Sequence, residues 1–382
     1  PGFLIRLYVH IPFCRSKCTY CAFFSQQLIP ESKQIFLAGL EQEIRRRGDE
    51  YGDRRVKSVY FGGGTPSVLP LQDLEQIIGW IDKEFSLDKG LEFTLEGNPE
   101  SLGRRDYIRG LTGLGVNRVS IGLQSLDPEQ LHVLGRAHTA RQGLETLRLV
   151  REAGLENTGV DLIWGLPGQS PAQWLETLKT VVRHGPKHIS CYGLTLEPGT
   201  VLARQEEEGG LEFPGEDEQA RMYIYGAEYL EGAGLLQYEI SNFARMGFAC
   251  GHNLGYWQGE DFLGLGPSSV STLDGQRWQN PANVKDYAHA AEYGSAREGR
   301  EFISPDKALK EMVMLSLRTT RGLSLREYRL ASGRDFCAVY RNLIQALHDN
   351  NLIRISGGYV RLTKNGMLVS DAIISRILNN RV

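Results

Sequence analysis

Cysteine is scarce in this chain of 382 residues, with six in all, and that scarcity argues against a fold stapled by disulfides. Long apolar runs are missing too: none reaches the ~18 residues that a bilayer span needs. Neither sign of charge is in excess. The 43 Lys and Arg stand against 46 Asp and Glu, a net charge of −3, so no global field points to nucleic acid or an anionic membrane. Internal repeats and low-complexity linkers do not occur, and no signal-peptide pattern opens the sequence, so a soluble cytoplasmic protein is expected. With Pro1 rather than Met in first place, the natural N-terminus is expected to be trimmed or to lie upstream. At 41% hydrophobic residues the chain has room for one large domain and a smaller one around stable cores.

What is present is concentrated. Three of the six cysteines, Cys14, Cys18 and Cys21, fall within eight residues. A short loop can bring such thiolates to one inorganic centre at little closure cost. Three ligands in a four-iron, four-sulfur cluster leave one iron open to something exchangeable, which makes a reactive site rather than an electron carrier. A zinc ion would need a fourth ligand, for which His10 and Cys250 are the candidates, and no second Cys-x2-Cys pair is there to complete a zinc ribbon.

Hydrophobic periodicity predicts strands at 4–10, 56–61, 91–96, 117–123, 158–164 and 188–194. It predicts helices between them at 31–50, 71–85, 104–114, 127–134, 139–153 and 171–184. Regular alternation implies parallel strands with right-handed crossovers. The short apolar strands suit burial on both faces. Six units are too few for an eight-fold barrel, so an open, partial (βα)6 barrel is expected. The run Arg45, Arg46 and Arg47 reads as a solvated helix face near a C-terminal end.

In barrels of this kind chemistry gathers at the C-terminal ends of strands, and the unusual residues fall there. Gly62-Gly63-Gly64-Thr65 follows the second strand, Glu96 ends the third, Gln124 the fourth, and Arg136 lies just beyond it. Asp161 sits in an apolar fifth strand, where a carboxylate needs a partner. Further on, 236–243 reads as a strand, and Cys250-Gly251-His252-Asn253-Leu254-Gly255-Tyr256-Trp257 forms a second distinctive segment. Helices at 284–293, 306–318, 323–330 and 336–350, a hairpin at 352–362 turning on Gly357-Gly358, and a last helix at 366–378 suggest a winged-helix-like domain. Nine Lys and Arg against three Asp and Glu between 318 and 364 read as a solvated face. The expected division is 1–200 for the barrel, 201–281 for an extension and 282–382 for the C-terminal domain.

The spacing Cys-x3-Cys-x2-Cys, introduced by Tyr8-Val9-His10-Ile11-Pro12-Phe13, resembles the radical S-adenosylmethionine (SAM) superfamily. Within it the match is to the branch around oxygen-independent coproporphyrinogen III oxidase, called HemN-like. The His-Asn-x-x-Tyr-Trp segment resembles the heme-chaperone members known as HemW. The resemblance implies a 4Fe-4S cluster on Cys14, Cys18 and Cys21, and SAM bound to its open iron. It implies SAM contacts from Gly62, Gly63, Gly64, Thr65, Glu96, Gln124, Arg136 and Asp161, a cluster-side contact from Tyr8, and a C-terminal domain over the barrel mouth. His252 becomes a candidate heme ligand, with Cys250 behind it. A histidine expected near Val270 is replaced by the run Ser268-Ser269-Val270-Ser271.

The implied chemistry is electron transfer from a donor through the cluster into SAM, giving methionine and a 5′-deoxyadenosyl radical. The expected role is a heme chaperone that binds heme or another tetrapyrrole and serves apo-haemoproteins of the respiratory chain. The alternatives are coproporphyrinogen III oxidase and a radical enzyme acting on another tetrapyrrole. Against the oxidase, Phe23 stands where those members carry a fourth cysteine, and they have a longer N-terminal extension than a first strand at Leu4 suggests. Nucleic acid is not an expected partner.

Overall fold

The structure, a computed structural model, describes residues 4–294 and 298–379. Six strands of the first half are Leu4–Ile11 (β1), Arg55–Gly63 (β2), Ser86–Gly97 (β3), Arg118–Gln124 (β4), Asn157–Trp164 (β5) and His188–Gly193 (β6). They pair in chain order and all in parallel, with helices on the outside, which is the partial barrel expected.

The sheet runs further than six strands. Leu236–Gln237 (β7) and Asn242–Ala244 (β8) add an antiparallel hairpin beyond β6. The expected single strand at 236–243 is thus two short ones around a turn. Phe262–Leu265 (β9) adds a seventh parallel strand beside β1. Val270–Leu273 (β10), Gln276–Gln279 (β11) and Glu298–Phe302 (β12) continue it antiparallel, giving a twelve-stranded sheet. β9 escapes notice in the sequence because it is short and holds a glycine. Gly264 is required there, since a Cβ would lie 2.3 Å from the Val270 carbonyl oxygen. The β10–β11 turn does carry a signal: Asp274-Gly275, both at positive φ, is a favoured hairpin pair.

Strand alternation gives the barrel two unlike faces. Outward residues such as Leu7, Val9, Phe61, Leu95, Val119, Ile121, Val160 and Ile189 are buried together under the helices in the main core. Inward residues are polar: Tyr8 from β1, Tyr60 from β2, Glu96 from β3, Arg118 and Ser120 from β4, Asp161 from β5, His188 and Ser190 from β6. Apolar burial on both faces, the sequence expectation, therefore holds for the outer face alone. The inner face lines cavities instead of packing.

A second core joins the C-terminal helices to a small antiparallel sheet of Leu323–Ser324 (β13), Ile353–Ser356 (β14) and Tyr359–Leu362 (β15). The β14–β15 hairpin turns on Gly357 and Gly358, at φ 59° and 81°. This unit contacts the barrel at one side. Tyr223 of the helix Glu216–Gly232 joins its core, and Ile240 N donates to Arg318 O at 2.9 Å. None of its described residues lines the large cavity at the strand ends. Among the basic residues at 318–364, Arg318, Arg321, Arg329 and Lys364 are ion-paired.

The arginine run on the first helix, Pro30–Tyr51, is only partly a solvated face. Arg45 is exposed, but Arg47 is 2% exposed and lies over the Trp278 ring. Arg47 approaches Glu43, a buried carboxylate that accepts from Gly266 N at 2.9 Å, Asn280 Nδ2 at 2.9 Å and Tyr287 OH at 2.7 Å. One carboxylate thus fixes the loop after β9, the segment after β11 and the helix Val284–Tyr293 onto the first helix. Glu43→Ala strands these donors and the Arg47 charge, and is expected to cost about 3–5 kcal/mol in urea unfolding. A loss below about 1 kcal/mol, the range of exposed ion pairs, would show the network to be superficial.

Candidate functional site

The cysteine loop leaves the end of β1 and is tied down from several sides. Phe13 and Cys14 pair in parallel with Gln26 and Gln27, closing the loop's base. Thr19 N donates to Leu134 O at 3.2 Å, Thr19 Oγ1 to Val133 O at 2.7 Å, and Leu202 N to Thr19 O at 2.9 Å. Gly64 N reaches Ile11 O at 2.8 Å and Thr65 N reaches Phe13 O at 2.7 Å.

These contacts explain part of the glycine run. A Cβ on Gly64 would meet Phe13 O at 2.6 Å, and Gly63, at φ +109°, would drive one into the His10 ring at 2.7 Å. The missing side chains therefore serve the loop's own packing as well as any ligand. Gly63, Gly64 and Thr65 line a cavity of about 710 Å³ together with Cys14, Cys18 and Cys21. Glu96, Gln124, Arg136 and Asp161 line it too. Gln124 ends β4 at φ +64°, a left-handed conformation uncommon outside glycine, which turns the chain at the rim.

Two expected residues lie elsewhere. Gly62 sits among the Tyr8 and Tyr60 rings and Glu96. Tyr8 lines a second, inner chamber, with its hydroxyl 3.1 Å from His10 Nδ1. It braces His10, whose Nε2 is 2.9 Å from Phe24 O, and so steadies the loop rather than facing the cysteines.

Arg136 is not a surface salt bridge. Its Nη1 donates to Cys18 Sγ at 3.3 Å, and Nη2 donates to Asn98 Oδ1 at 2.6 Å and Gly122 O at 2.7 Å. Its Nε is buried with no partner. Asn98 also donates to Thr65 Oγ1 at 3.2 Å, and Thr65 Oγ1 to Cys14 Sγ at 3.5 Å. Two of the three sulfurs therefore receive hydrogen bonds. Asn98 escaped the sequence reading, although it stands two residues past Glu96 at a strand end; the half-buried Tyr20, the aromatic before the last cysteine, lines the same cavity.

These features fit an iron-sulfur cluster: three thiols on one cavity, cationic and hydroxyl donors aimed at sulfur, and a buried guanidinium N–H left over. Among the described residues no three His, Cys, Asp or Glu side chains gather to hold a single metal ion. Zinc finds no fourth ligand, since both His10 nitrogens are engaged and Cys250 lies on the inner chamber beside Glu92. Cluster thiolates have a different requirement, because each binds its own iron.

The carboxylates on the cavity are electrostatically unusual. Burial pushes the Glu96 carboxyl up to about 7, although it accepts from Tyr60 OH at 2.6 Å. Burial likewise raises Asp161, against hydrogen bonds from Ser190 and Ser120. His252 is 1% exposed; its Nδ1 lies 2.8 Å from Ser58 Oγ and its Nε2 2.9 Å from Tyr256 OH. Burial, then the charges of Arg6 and Arg118, hold its imidazole down to about 3. With both nitrogens occupied, the geometry speaks against His252 as an open iron ligand. Cys250 is no more available, with its thiol pushed up to about 11 by burial.

The comparisons with known proteins agree with this geometry. A family model for the radical SAM superfamily matches residues 8–181, and one for the HemN C-terminal domain matches 303–369. A Bacillus subtilis protein named heme chaperone HemW is 32% identical over 373 residues, covering 97% of this chain and 98% of its own. A Synechocystis protein of the same name is 36% identical over 327 residues, covering 83% and 78%. The chain belongs to the HemN-like radical SAM family, in its HemW branch. The structure of coproporphyrinogen III oxidase (HemN) from Escherichia coli matches the whole fold at TM-score 0.85 and 24% identity, covering 100% of this chain and 91% of that one. Membership of the radical SAM family implies SAM and an iron-sulfur cluster. No helix among the described residues is long and apolar enough to cross a membrane.

The raised Glu96 carboxyl predicts a pH effect. Its folded pKa of about 7 exceeds the ordinary ~4.3, so its contribution to stability is fully present below about pH 4 and is lost as pH rises through 7. Glu96→Gln is therefore expected to flatten the fall in thermal midpoint of the cofactor-free protein between pH 5 and 8. The slope is reduced rather than abolished, because burial also pushes Glu239 up to about 7. An unchanged slope would show Glu96 to be solvated.

Proposed function

We propose that this protein is a radical SAM heme chaperone, which binds heme and passes it to apo-haemoproteins of the respiratory chain. The observation that carries this reading is near end-to-end identity above 30% to relatives named heme chaperones. Phe23 supports it. Where oxidase-like members have a fourth cysteine, this chain presents a ring that is 70% exposed on the edge of the large cavity.

In this reading Cys14, Cys18 and Cys21 hold the cluster and SAM occupies the remaining cavity. When bound, the two supply one-electron reductive cleavage of the SAM sulfonium. The chain's own residues do the positioning. The backbone at Gly63 and Gly64, with Glu96, receives the SAM amino group; Gln124 and Asp161 serve its nucleoside end. Arg136, besides donating to Cys18, offers its spare N–H to the SAM carboxylate. A Glu96 that changes protonation near neutrality is drawn to its charged form by an ammonium group beside it. Tyr8 acts through His10 on the loop. Heme enters the mouth of the large cavity, which Phe23 lines, with no ligand assigned to His252.

The test uses anaerobic, cluster-loaded protein with SAM, a strong reductant and coproporphyrinogen III. Heme binding without formation of the doubly decarboxylated porphyrin is expected, and conversion would make this an oxidase. Ala in place of Cys14, Cys18 or Cys21 is expected to remove the brown cluster absorbance, and full iron content in all three would remove the premise. Arg136→Met is expected to weaken SAM binding by roughly 10- to 100-fold through loss of a charge-assisted contact, measured by calorimetry.

A further inference from the structure

Beneath the large cavity the barrel encloses a second chamber of about 220 Å³. Its inner surface is polar, where a closed (βα)8 barrel would stack branched apolar side chains. Arg118, the first residue of β4, is 2% exposed, and its Nε and Nη1 have no hydrogen-bond partner. Glu92, Glu96 and Asp161 act on it electrostatically, yet none of them is hydrogen-bonded to its Nε or Nη1. His188 faces the same space at 2% exposure, with Nε2 2.8 Å from Tyr238 OH and Nδ1 unpartnered.

The carboxylates nearby are committed elsewhere. Glu96 takes the Tyr60 hydroxyl, Asp161 takes Ser120, and Glu92 accepts Gly251 N and His252 N at 2.8 Å each. Glu92, Glu96 and Asp161 balance the guanidinium's charge from a distance, but none of them meets its Nε–H and Nη1–H, and buried donors left without an acceptor are costly. The fork of a guanidinium matches a carboxylate, and the Tyr8, Tyr60 and Tyr256 rings offer apolar walls to methylene groups. Glu96, Ser120, Asp161 and Tyr192 line both this chamber and the large cavity, so a short arm can pass between them.

We propose that the inner chamber is a carboxylate site, anchored by Arg118, that takes a short aliphatic carboxylate either free or as the arm of a larger molecule in the large cavity. The free form is independent of the heme reading; the arm form rests on it.

The experiment titrates cluster-loaded protein with carboxyl-labelled propionate by carbon NMR, with propionamide as the uncharged control. Saturable binding of propionate, absence of propionamide binding, and at least about tenfold weaker binding in Arg118→Met are expected. Should that variant not fold, Arg118→Lys, which keeps charge without the fork, is expected to bind more weakly than wild type. Failure of wild type to bind propionate, equal binding of propionamide, or full affinity in Arg118→Met overturns the site. A second arm compares heme with its dimethyl ester. Weaker binding of the ester in wild type but not in Arg118→Met assigns the arm form; indifference to esterification, with propionate still bound, assigns the free form. If heme does not bind at all, the heme reading fails and the propionate titration still decides the site.

Discussion

A strand face that turns polar groups into the interior of a partial barrel is tolerable only if those groups are satisfied, and most of this architecture follows from that requirement. Each unpartnered buried polar group costs about 1–3 kcal/mol. Tyr60 therefore meets Glu96, Ser120 meets Asp161, and Tyr238 meets His188. Glu92 caps the helix Gly251–Trp257, whose first N–H groups point at it. The apolar driving force must then come almost wholly from the opposite strand face. Leu7, Val9, Phe61, Val119, Ile121 and Val160 supply it under the outer helices.

The same division preorganises the cysteine loop. Ordering a loop costs roughly 1–2 kcal/mol per residue in backbone entropy. Hydrogen bonds from Thr19, Leu202, Gly64 and Thr65 offset that cost before any cofactor arrives. Arg136 links the loop to the strand ends, because one guanidinium spans Cys18, Asn98 and Gly122. A loop fixed in this way presents its sulfurs in nearly one arrangement, which is the condition for holding a centre built from several irons.

Much of this was legible in the residues. Alternation of strands and helices predicted β1 to β6 and their parallel order, because helix and strand periods are local properties. Cys14, Cys18 and Cys21 were found from their spacing, Glu96 from its strand end, Asp161 as a carboxylate in an apolar strand, and Gln124 and Arg136 from the family resemblance; the fold brings all seven to one cavity. The chamber below was half legible. Arg118-Val119-Ser120-Ile121-Gly122-Leu123-Gln124 alternates polar and apolar residues, but a buried parallel strand is ordinarily apolar throughout, and that prior concealed the pattern. β9 was hidden by its brevity, and Arg47 by its charge. In both cases tertiary contacts decide, through partners more than two hundred residues away that no local window contains.

The His-Asn-x-x-Tyr-Trp segment shows how a branch signature can shape a site without touching the reacting atoms. His252 is wedged between Ser58 and Tyr256, and burial, then the charges of Arg6 and Arg118, keep its ring neutral. A neutral imidazole can donate from one nitrogen and accept at the other, which an imidazolium cannot. Asn253 donates to the Tyr238 hydroxyl at 3.3 Å, the same hydroxyl that holds His188. The segment thus forms the floor of the inner chamber and sets which polar atoms remain free there. Two of its residues spend their hydrogen-bonding capacity on neighbours, and the N–H groups of Arg118 are left over as a consequence. The segment therefore acts through the space it encloses, and its most reactive side chain need not be its functional one.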